Sequence, residues 1–178
     1  MKRFVSLILS LLMSLAMTAC GGASDGATIR VENGAFNWKA QELIDALNTE
    51  IENTGDSRYF SIPDFSESGE KIIIDDSSFD GLVMILENNE EEYVTKISIE
   101  WCTFGENVER VNTCALLVGR LIGSIAPEQA EEIYSQLDMA APGTPEYTTE
   151  YTVNSVDFVY NYRLKGMNQS LTVSPTAA

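Results

Sequence analysis

The order of helical and strand-like segments predicts an α+β fold, with one antiparallel sheet of about five to seven strands and helices packed on one face. Two observations support this prediction. Apolar residues recur at helical spacing in separate blocks, and the strand-like runs follow one another through short, turn-rich connections, as hairpins do. Such segregation of helices from antiparallel hairpins is typical of α+β domains.

Three segments have the sequence pattern of helices. The first is predicted over 38–53, with Asn37 as its N-cap. The second is predicted over 107–125 and has a long apolar stripe that includes Val118. The third is predicted over 127–138 and begins with a proline, which is favoured at the first position of a helix.

Strand-like sequence occupies 70–75, 82–87 and 92–101, and turn-rich residues separate these runs. The middle run is apolar on both faces, so we expect it to be the most central of the three. Strict alternation of apolar and polar residues predicts a further strand over 156–164, which a turn connects to a strand over 169–173.

The first 22 residues differ in kind from the rest of the chain. Two cations, Lys2 and Arg3, precede an uncharged apolar run over 4–17, and small residues then lead into Cys20. The run is shorter than the roughly 20 apolar residues that a transmembrane helix needs. A cationic start, an apolar centre and small residues at the end are the pattern of a cleaved secretory signal.

The segment LAMTAC over 15–20, followed by glycine, resembles the lipobox of bacterial lipoprotein precursors. The resemblance covers 1–22, and Met17 stands where leucine is commonest in that family. It implies that residues 1–19 are a cleaved signal peptide and that Cys20 is acylated and becomes the first residue of the mature chain. The protein would then lie on the extracytoplasmic face of the cell membrane, which is periplasmic or outer-membrane in a Gram-negative host. An ordinary secretory signal with an incidental thiol is the alternative.

The rest of the chain divides into three parts. Residues 20–27 are the lipidated cysteine and a flexible tether of small residues. Residues 28–174 are long enough to form a single α+β domain with a sizeable core. Residues 175–178 should fray. Two or three acyl chains on one cysteine attach a protein durably to a membrane, whereas one chain gives marginal attachment.

Composition excludes several classes of function. The chain has 11 Lys and Arg against 27 Asp and Glu, a net charge of −16 that becomes more negative when the leader and its two cations are removed. A surface that binds nucleic acid needs a cationic face, and like charges oppose contact with anionic lipid, so the domain should project away from the bilayer. The sequence contains no histidine, the commonest metal ligand and general base. We therefore predict no metal, no cofactor and no catalytic residue.

Two further cysteines, Cys102 and Cys114, follow the leader. Exported proteins favour disulfides. However, Cys102 falls on the polar side of its predicted strand, whereas Cys114 lies about 12 Å along the next helix. A disulfide needs Cα atoms within about 7 Å of each other. We expect two separate thiols, with a disulfide as the disfavoured alternative.

Aromatic residues concentrate in the last part of the chain. Phe158 and Tyr160 occupy alternate positions of a predicted strand, which indicates core packing. Tyr147 and Tyr151 lie in less regular sequence and are candidates for contact with a ligand or a partner protein, because aromatic side chains stack on sugars and on proteins.

The leading functional hypothesis is a non-enzymatic, membrane-anchored module of the cell envelope that binds a ligand or interacts with other proteins. Its expected partners are membrane lipid, through acylated Cys20, and either an envelope protein or a small ligand. One alternative is a small solute-binding receptor of a transporter, although such receptors usually need two lobes around a cleft. The other is a cell-envelope enzyme that works without histidine.

Overall fold

The structure is a computed structural model that describes residues 29–53, 61–65, 71–75, 82–102, 108–139, 146–163 and 168–176. It confirms the predicted fold class, because antiparallel strands form one large sheet and the helices contribute to a core on one of its faces. The predicted signal peptide, the tether with Cys20 and the last two residues lie outside the described residues.

The described elements follow in this order. A small hairpin pairs β1 (Val31–Glu32) with β2 (Ala35–Phe36). After it come α1 (Ala40–Asn53), β3 (Lys71–Asp75), β4 (Leu82–Asn88) and β5 (Val94–Cys102). Next come α2 (Val108–Ile125), a 3-10 turn (Pro127–Gln129) and α3 (Ala130–Leu137). The last elements are β6 (Glu146–Val153), β7 (Val156–Arg163) and β8 (Asn168–Pro175).

The large sheet has six strands in the order β3-β4-β5-β8-β7-β6, all antiparallel. Strands β3 to β5 form one meander and β6 to β8 form another. The meanders join where β5 pairs with β8, for example at Ile99 opposite Leu171. The first strand of each meander is therefore an edge of the sheet, and β4 lies centrally in its meander, as predicted.

The core lies on the helix side of the sheet. Alternate strand residues are buried there because successive side chains of a strand point to opposite faces. The most deeply buried strand residues are Ile72, Leu82, Met84, Leu86, Val94, Ile97, Ile99, Phe158, Tyr160, Leu171 and Val173. Helices α1 and α3 contribute one buried stripe each, whereas α2 is buried over most of its surface from Cys114 onward. Val118 of α2 is 1% exposed.

The start of α1 differs from the expectation. Asn37 is not its N-cap, because the Asn37 side chain accepts a hydrogen bond from the N–H of Arg30 at 2.7 Å. The Glu42 carboxylate instead accepts a hydrogen bond from the N–H of Lys39 at 2.9 Å, which satisfies a donor at the helix start.

Strand β6 is a second difference, since its sequence was expected to be irregular. The structure pairs all eight of its residues with β7. Among the described residues, no helix is both long enough and apolar enough to cross a bilayer.

Candidate functional site

Strand β6 contains both tyrosines that the sequence singled out, Tyr147 and Tyr151, and it forms one edge of the sheet. Tyr, Thr and Val supply six of its eight residues, and these residue types fit the extended backbone of a strand. Its pairing with β7 runs from Glu146 opposite Arg163 to Val153 opposite Val156 without a shift in register. The site is therefore a straight, regular strand with a partner on one side.

The turn between β6 and β7 determines which backbone groups of β6 face outward. Asn154 and Ser155 both have positive φ, 53° and 62°, as a two-residue type I′ hairpin requires. In such a hairpin the flanking residues, Val153 and Val156, exchange both backbone hydrogen bonds.

Hydrogen-bonded and non-hydrogen-bonded pairs alternate along an antiparallel ladder. Counting back from the turn, Tyr151 and Thr149 bond to β7, whereas the N–H and C=O groups of Thr152, Glu150 and Thr148 point away from it. No described strand pairs with this outer side of β6. Thr148, Glu150 and Thr152 thus present backbone donors and acceptors at the open edge of the sheet.

On the helix side, contacts to α3 and β7 hold the tyrosines of β6 in place. The Glu132 carboxylate of α3 lies near the hydroxyl of Tyr151 and raises the pKa of Tyr151. The Thr149 hydroxyl donates to the backbone carbonyl of Gln136 at 3.4 Å. The ring of Tyr147 meets that of Tyr160 edge to face, with centroids 6.3 Å apart.

Tyr160 connects this edge to the centre of the sheet. Its ring stacks on Trp101 at a centroid distance of 6.3 Å, and its hydroxyl donates to Oε1 of Gln169 at 2.8 Å. Burial raises the pKa of Tyr160, so the phenol stays neutral well above physiological pH. Tyr147 is therefore half-buried against a fixed aromatic neighbour, and Tyr151 is half-buried beside a carboxylate.

On the open face of the sheet, β6 is polar. The hydroxyl of Thr148 donates to Oδ1 of Asn161 at 2.8 Å, and that of Thr152 donates to Oδ1 of Asp157 at 2.6 Å. Glu150 is exposed beside them. Hydrogen bonds between neighbouring strands stabilise this face, and it offers polar rather than aromatic contacts.

The charge around β6 is strongly negative. Residues 126–139 and 146–163, which include α3, β6 and β7, contain seven Asp and Glu and a single cation, Arg163. Glu132 of α3 is exposed on the helix side of the edge, near Tyr151, and Glu150 is exposed on the other side. Any segment that docks along β6 would therefore meet carboxylates on both faces.

The remaining sequence-predicted residues lie elsewhere. Cys20 lies outside the described residues, as does the side chain of Cys102. Cys114 is a free, buried thiol whose pKa is raised by burial. The predictions of a lipidated Cys20 and of separate Cys102 and Cys114 thiols remain predictions.

Among the residues that the structure describes, no three or more Asp, Glu, Cys or His lie together in a way that could hold a metal ion. In the turn between β4 and β5, Asn89 Oδ1 accepts hydrogen bonds from the backbone N–H groups of Glu91 and Tyr93, and Glu92 pairs with Lys39 at 2.9 Å. The acidic side chains of this turn are therefore part of a solvated loop.

A cluster of polar side chains lies between the helices, away from β6. Arg120 of α2 is 3.8 Å from the Glu50 carboxylate of α1. Among the described residues, Arg120 Nε and the hydroxyl of Tyr134 on α3 have no hydrogen-bond partner. Burial raises the pKa of Tyr134, so this phenol stays neutral. Tyr134 is part of the core, whereas the side chains of Arg120 and Glu50 are 11% and 41% exposed.

Sequence reasoning identified Tyr147 and Tyr151 but missed Thr148, Glu150 and Thr152. A signal for them exists, because Tyr147, Thr149, Tyr151 and Val153 alternate with Glu and Thr, and Asn154-Ser155 follows as a turn. Threonine stands on both faces of this strand, which weakens the contrast between apolar and polar positions.

No protein-family model matches this chain, and no curated protein does either. A solved structure described as a DUF4309 family protein (YjgB) from Bacillus subtilis aligns with 77% of this chain and 98% of its own length. Its sequence identity to this chain is 13% and the TM-score is 0.31.

Proposed function

We propose that this protein is a lipid-anchored, non-enzymatic module on the extracytoplasmic face of a bacterial membrane, where it binds another protein of the envelope. The lipobox-like segment ending at Cys20 supports the anchor, because it combines an apolar run with a cysteine after small residues. A tether of small residues behind the cysteine lets the folded part stand away from the bilayer.

The observation that carries the binding role is the unpaired side of β6. A strand edge with open backbone donors and acceptors is a docking site for an extended segment of another chain. The polar open face and the acidic surroundings of the edge favour a polar partner. The lack of histidine in the sequence supports a role without acid–base catalysis.

Metabolic labelling tests the anchor. We expect a bacterium that expresses the full chain to incorporate labelled fatty acid into it, and the Cys20→Ser variant to remain unlabelled and uncleaved, because a hydroxyl cannot form the thioether to lipid. The wild-type chain should fractionate with membranes. Labelling that persists in Cys20→Ser would refute the lipoprotein assignment.

Photo-crosslinking in intact cells tests the binding role. A photoreactive residue at Thr148 should give a discrete adduct with an envelope protein, because position 148 lies at the open edge. The same residue at Glu90, which is exposed in the turn between β4 and β5, is the control. Equal adducts at the two positions would contradict binding at β6.

Turnover of peptidoglycan, peptide or ester substrates that point mutations abolish would contradict the non-enzymatic role.

A further inference from the structure

The geometry of β6 points to the kind of segment that it binds. We propose that β6 accepts an extended, basic segment of the partner protein as an additional strand of the sheet, with Lys or Arg at alternate positions. This inference deepens the proposed function and rests on it for the location of the partner. It names the chemistry of the bound segment and the backbone groups that hold it.

Within the described residues, strand β6 lacks the short length, bulge, proline and lysine that often protect an edge. Proteins block edge strands with short length, bulges, Pro or Lys. Strand β6 is eight residues long, pairs with β7 without a register shift and contains neither Pro nor Lys. Because its pairing with β7 stays regular to the last residue, its outer side is a straight template for another strand.

The backbone groups that would bind the added strand follow from the hairpin. Thr148, Glu150 and Thr152 direct their N–H and C=O groups outward, because the alternate residues bond to β7. These six groups are spaced as an incoming strand needs them. An extended segment of about seven residues spans them at roughly 3.3 Å per residue.

Charge determines the chemistry of the segment. An added strand places alternate side chains on the open face, beside Glu150, and the others on the helix side, beside Tyr151 and the exposed carboxylate of Glu132. Lys or Arg at alternate positions fits the open face, because the charged ends reach Glu150 there while the shorter side chains between them lie beside Tyr151 on the helix side.

A second copy of this chain fits less well than a basic segment. Each copy has a net charge of −16, and the surroundings of β6 are acidic. Pairing two such edges would bring like charges together and would be opposed, whereas a basic segment is attracted.

The test uses the full chain in a neutral detergent and a blocked ten-residue peptide of alternating Lys and Thr. We expect saturable binding in fluorescence anisotropy, and slower hydrogen exchange at the amides of Thr148, Glu150 and Thr152 when the peptide is bound. Two control peptides have the same composition: one groups its lysines into a single block, and the other is N-methylated at alternate residues on the bonding side. Both should bind at least about tenfold more weakly, because they lose the alternation or the hydrogen bonds.

Two protein variants separate edge pairing from general attraction between charges. Glu150→Lys should weaken peptide binding about tenfold, whereas Glu90→Lys, which changes the net charge equally in a distant turn, should weaken it less than about twofold. Thr148→Pro removes one outward N–H and the exposed hydroxyl contact to Asn161 and leaves the backbone hydrogen bonds to β7 intact, so it should weaken binding about tenfold while the variant stays folded.

Several outcomes would overturn the proposal. Equal losses in Glu150→Lys and Glu90→Lys, or equal binding of the N-methylated peptide, would mean that the peptide binds through charge alone. Sedimentation that shows a dimer held through β6 would replace the basic segment with a second copy. The peptide-binding test is independent of the membrane anchor. Peptide binding together with failed lipid labelling of the chain would refute the proposed location at the membrane. Lipid labelling without peptide binding would refute β6 as the binding site.

Discussion

The two edge strands of the sheet, β3 and β6, differ in length, regularity and composition. Strand β3 has five residues, begins with Lys71, and its pairing with β4 is irregular between Ile73 and Asp75. Strand β6 has eight residues in unbroken register with β7. Short length, bulges and lysine discourage pairing with other chains. The sheet therefore has one edge with protective features and one without them.

This difference is informative because both edges are the first strands of meanders and share one core. If edge protection were a general property of the fold, β6 would also be short or bulged. The structure instead combines a regular β6 edge with a polar, hydrogen-bonded flank and acidic surroundings. Polar flanks keep such an edge soluble while its backbone stays available.

The largest expected effect comes from the shared core. Val118→Asp places a carboxylate at a position that is 1% exposed, where an unpaired charge is expensive, so we expect a loss of more than about 4 kcal/mol in unfolding free energy. Hydrogen exchange should show β3 and β6 losing protection together. Retained protection in the β6–β7 hairpin alone would show that the two edges belong to separately stable units.

The next prediction contrasts the two sides of β6. Thr149→Pro removes a hydrogen bond to β7 and leaves its partner carbonyl unsatisfied, so it should cost about 2 to 3 kcal/mol in urea denaturation. Thr148→Pro removes an N–H that points outward and should cost less than about 1 kcal/mol. The reverse ranking would mean that the hydrogen-bond alternation derived from the Asn154-Ser155 turn is wrong.

A smaller effect is expected for the contact between Tyr151 of β6 and Glu132 of α3. The Glu132 carboxylate stabilises the protonated Tyr151 hydroxyl and therefore raises the pKa of Tyr151. This contact stabilises the fold at pH values below the ordinary tyrosine pKa, and the stabilisation is lost as the pH rises through the raised pKa. Glu132→Gln should lower the pKa of Tyr151. NMR titration of labelled tyrosine measures this pKa. An unchanged Tyr151 pKa would contradict the contact.

The smallest expected effect concerns the strand at which the meanders join. Strand β5 ends at Cys102, and a disulfide from there to Cys114 would connect the end of β5 to α2. We expect reductant to leave the stability of the protein unchanged, against a loss of about 3 kcal/mol if such a bond existed. Alkylation without reductant should modify Cys114 after denaturation and not before it, because the thiol is buried. Mass spectrometry should then count two adducts, at Cys102 and Cys114, and finding none would indicate a disulfide.

The sequence predicted the elements whose faces differ most in polarity. In β7, buried Val156, Phe158 and Tyr160 alternate with less buried neighbours, as the period-2 pattern indicated. The buried stripes of α1 and α3 follow helical spacing in the same way. These elements lie against the core, where burial on one face imposes a strong pattern on the sequence.

The candidate site could be predicted only in part. Tyr147 and Tyr151 were identified by residue type, but an edge strand has fewer neighbours and imposes a weaker pattern, so β6 was missed. The proposed binding role of Thr148, Glu150 and Thr152 depends on their backbone groups, which face outward. This property depends on which strands pair, and the pairing of β5 with β8 joins residues such as Ser98 and Thr172, 74 positions apart. Local sequence does not specify such a contact.

The central pairing of β5 with β8 also affects how the chain folds. Each meander consists of contacts between neighbouring segments, which form quickly, whereas closing a connection of 74 residues is entropically costly and slow. We therefore expect the two meanders to form first and their joining to limit the rate. Until they join, the bonding sides of β5 and β8 are open, so the chain briefly has four exposed strand edges instead of two. The chain is most susceptible to aggregation before the two meanders join. A chain that crosses a membrane before it folds passes through this stage outside the cytoplasm.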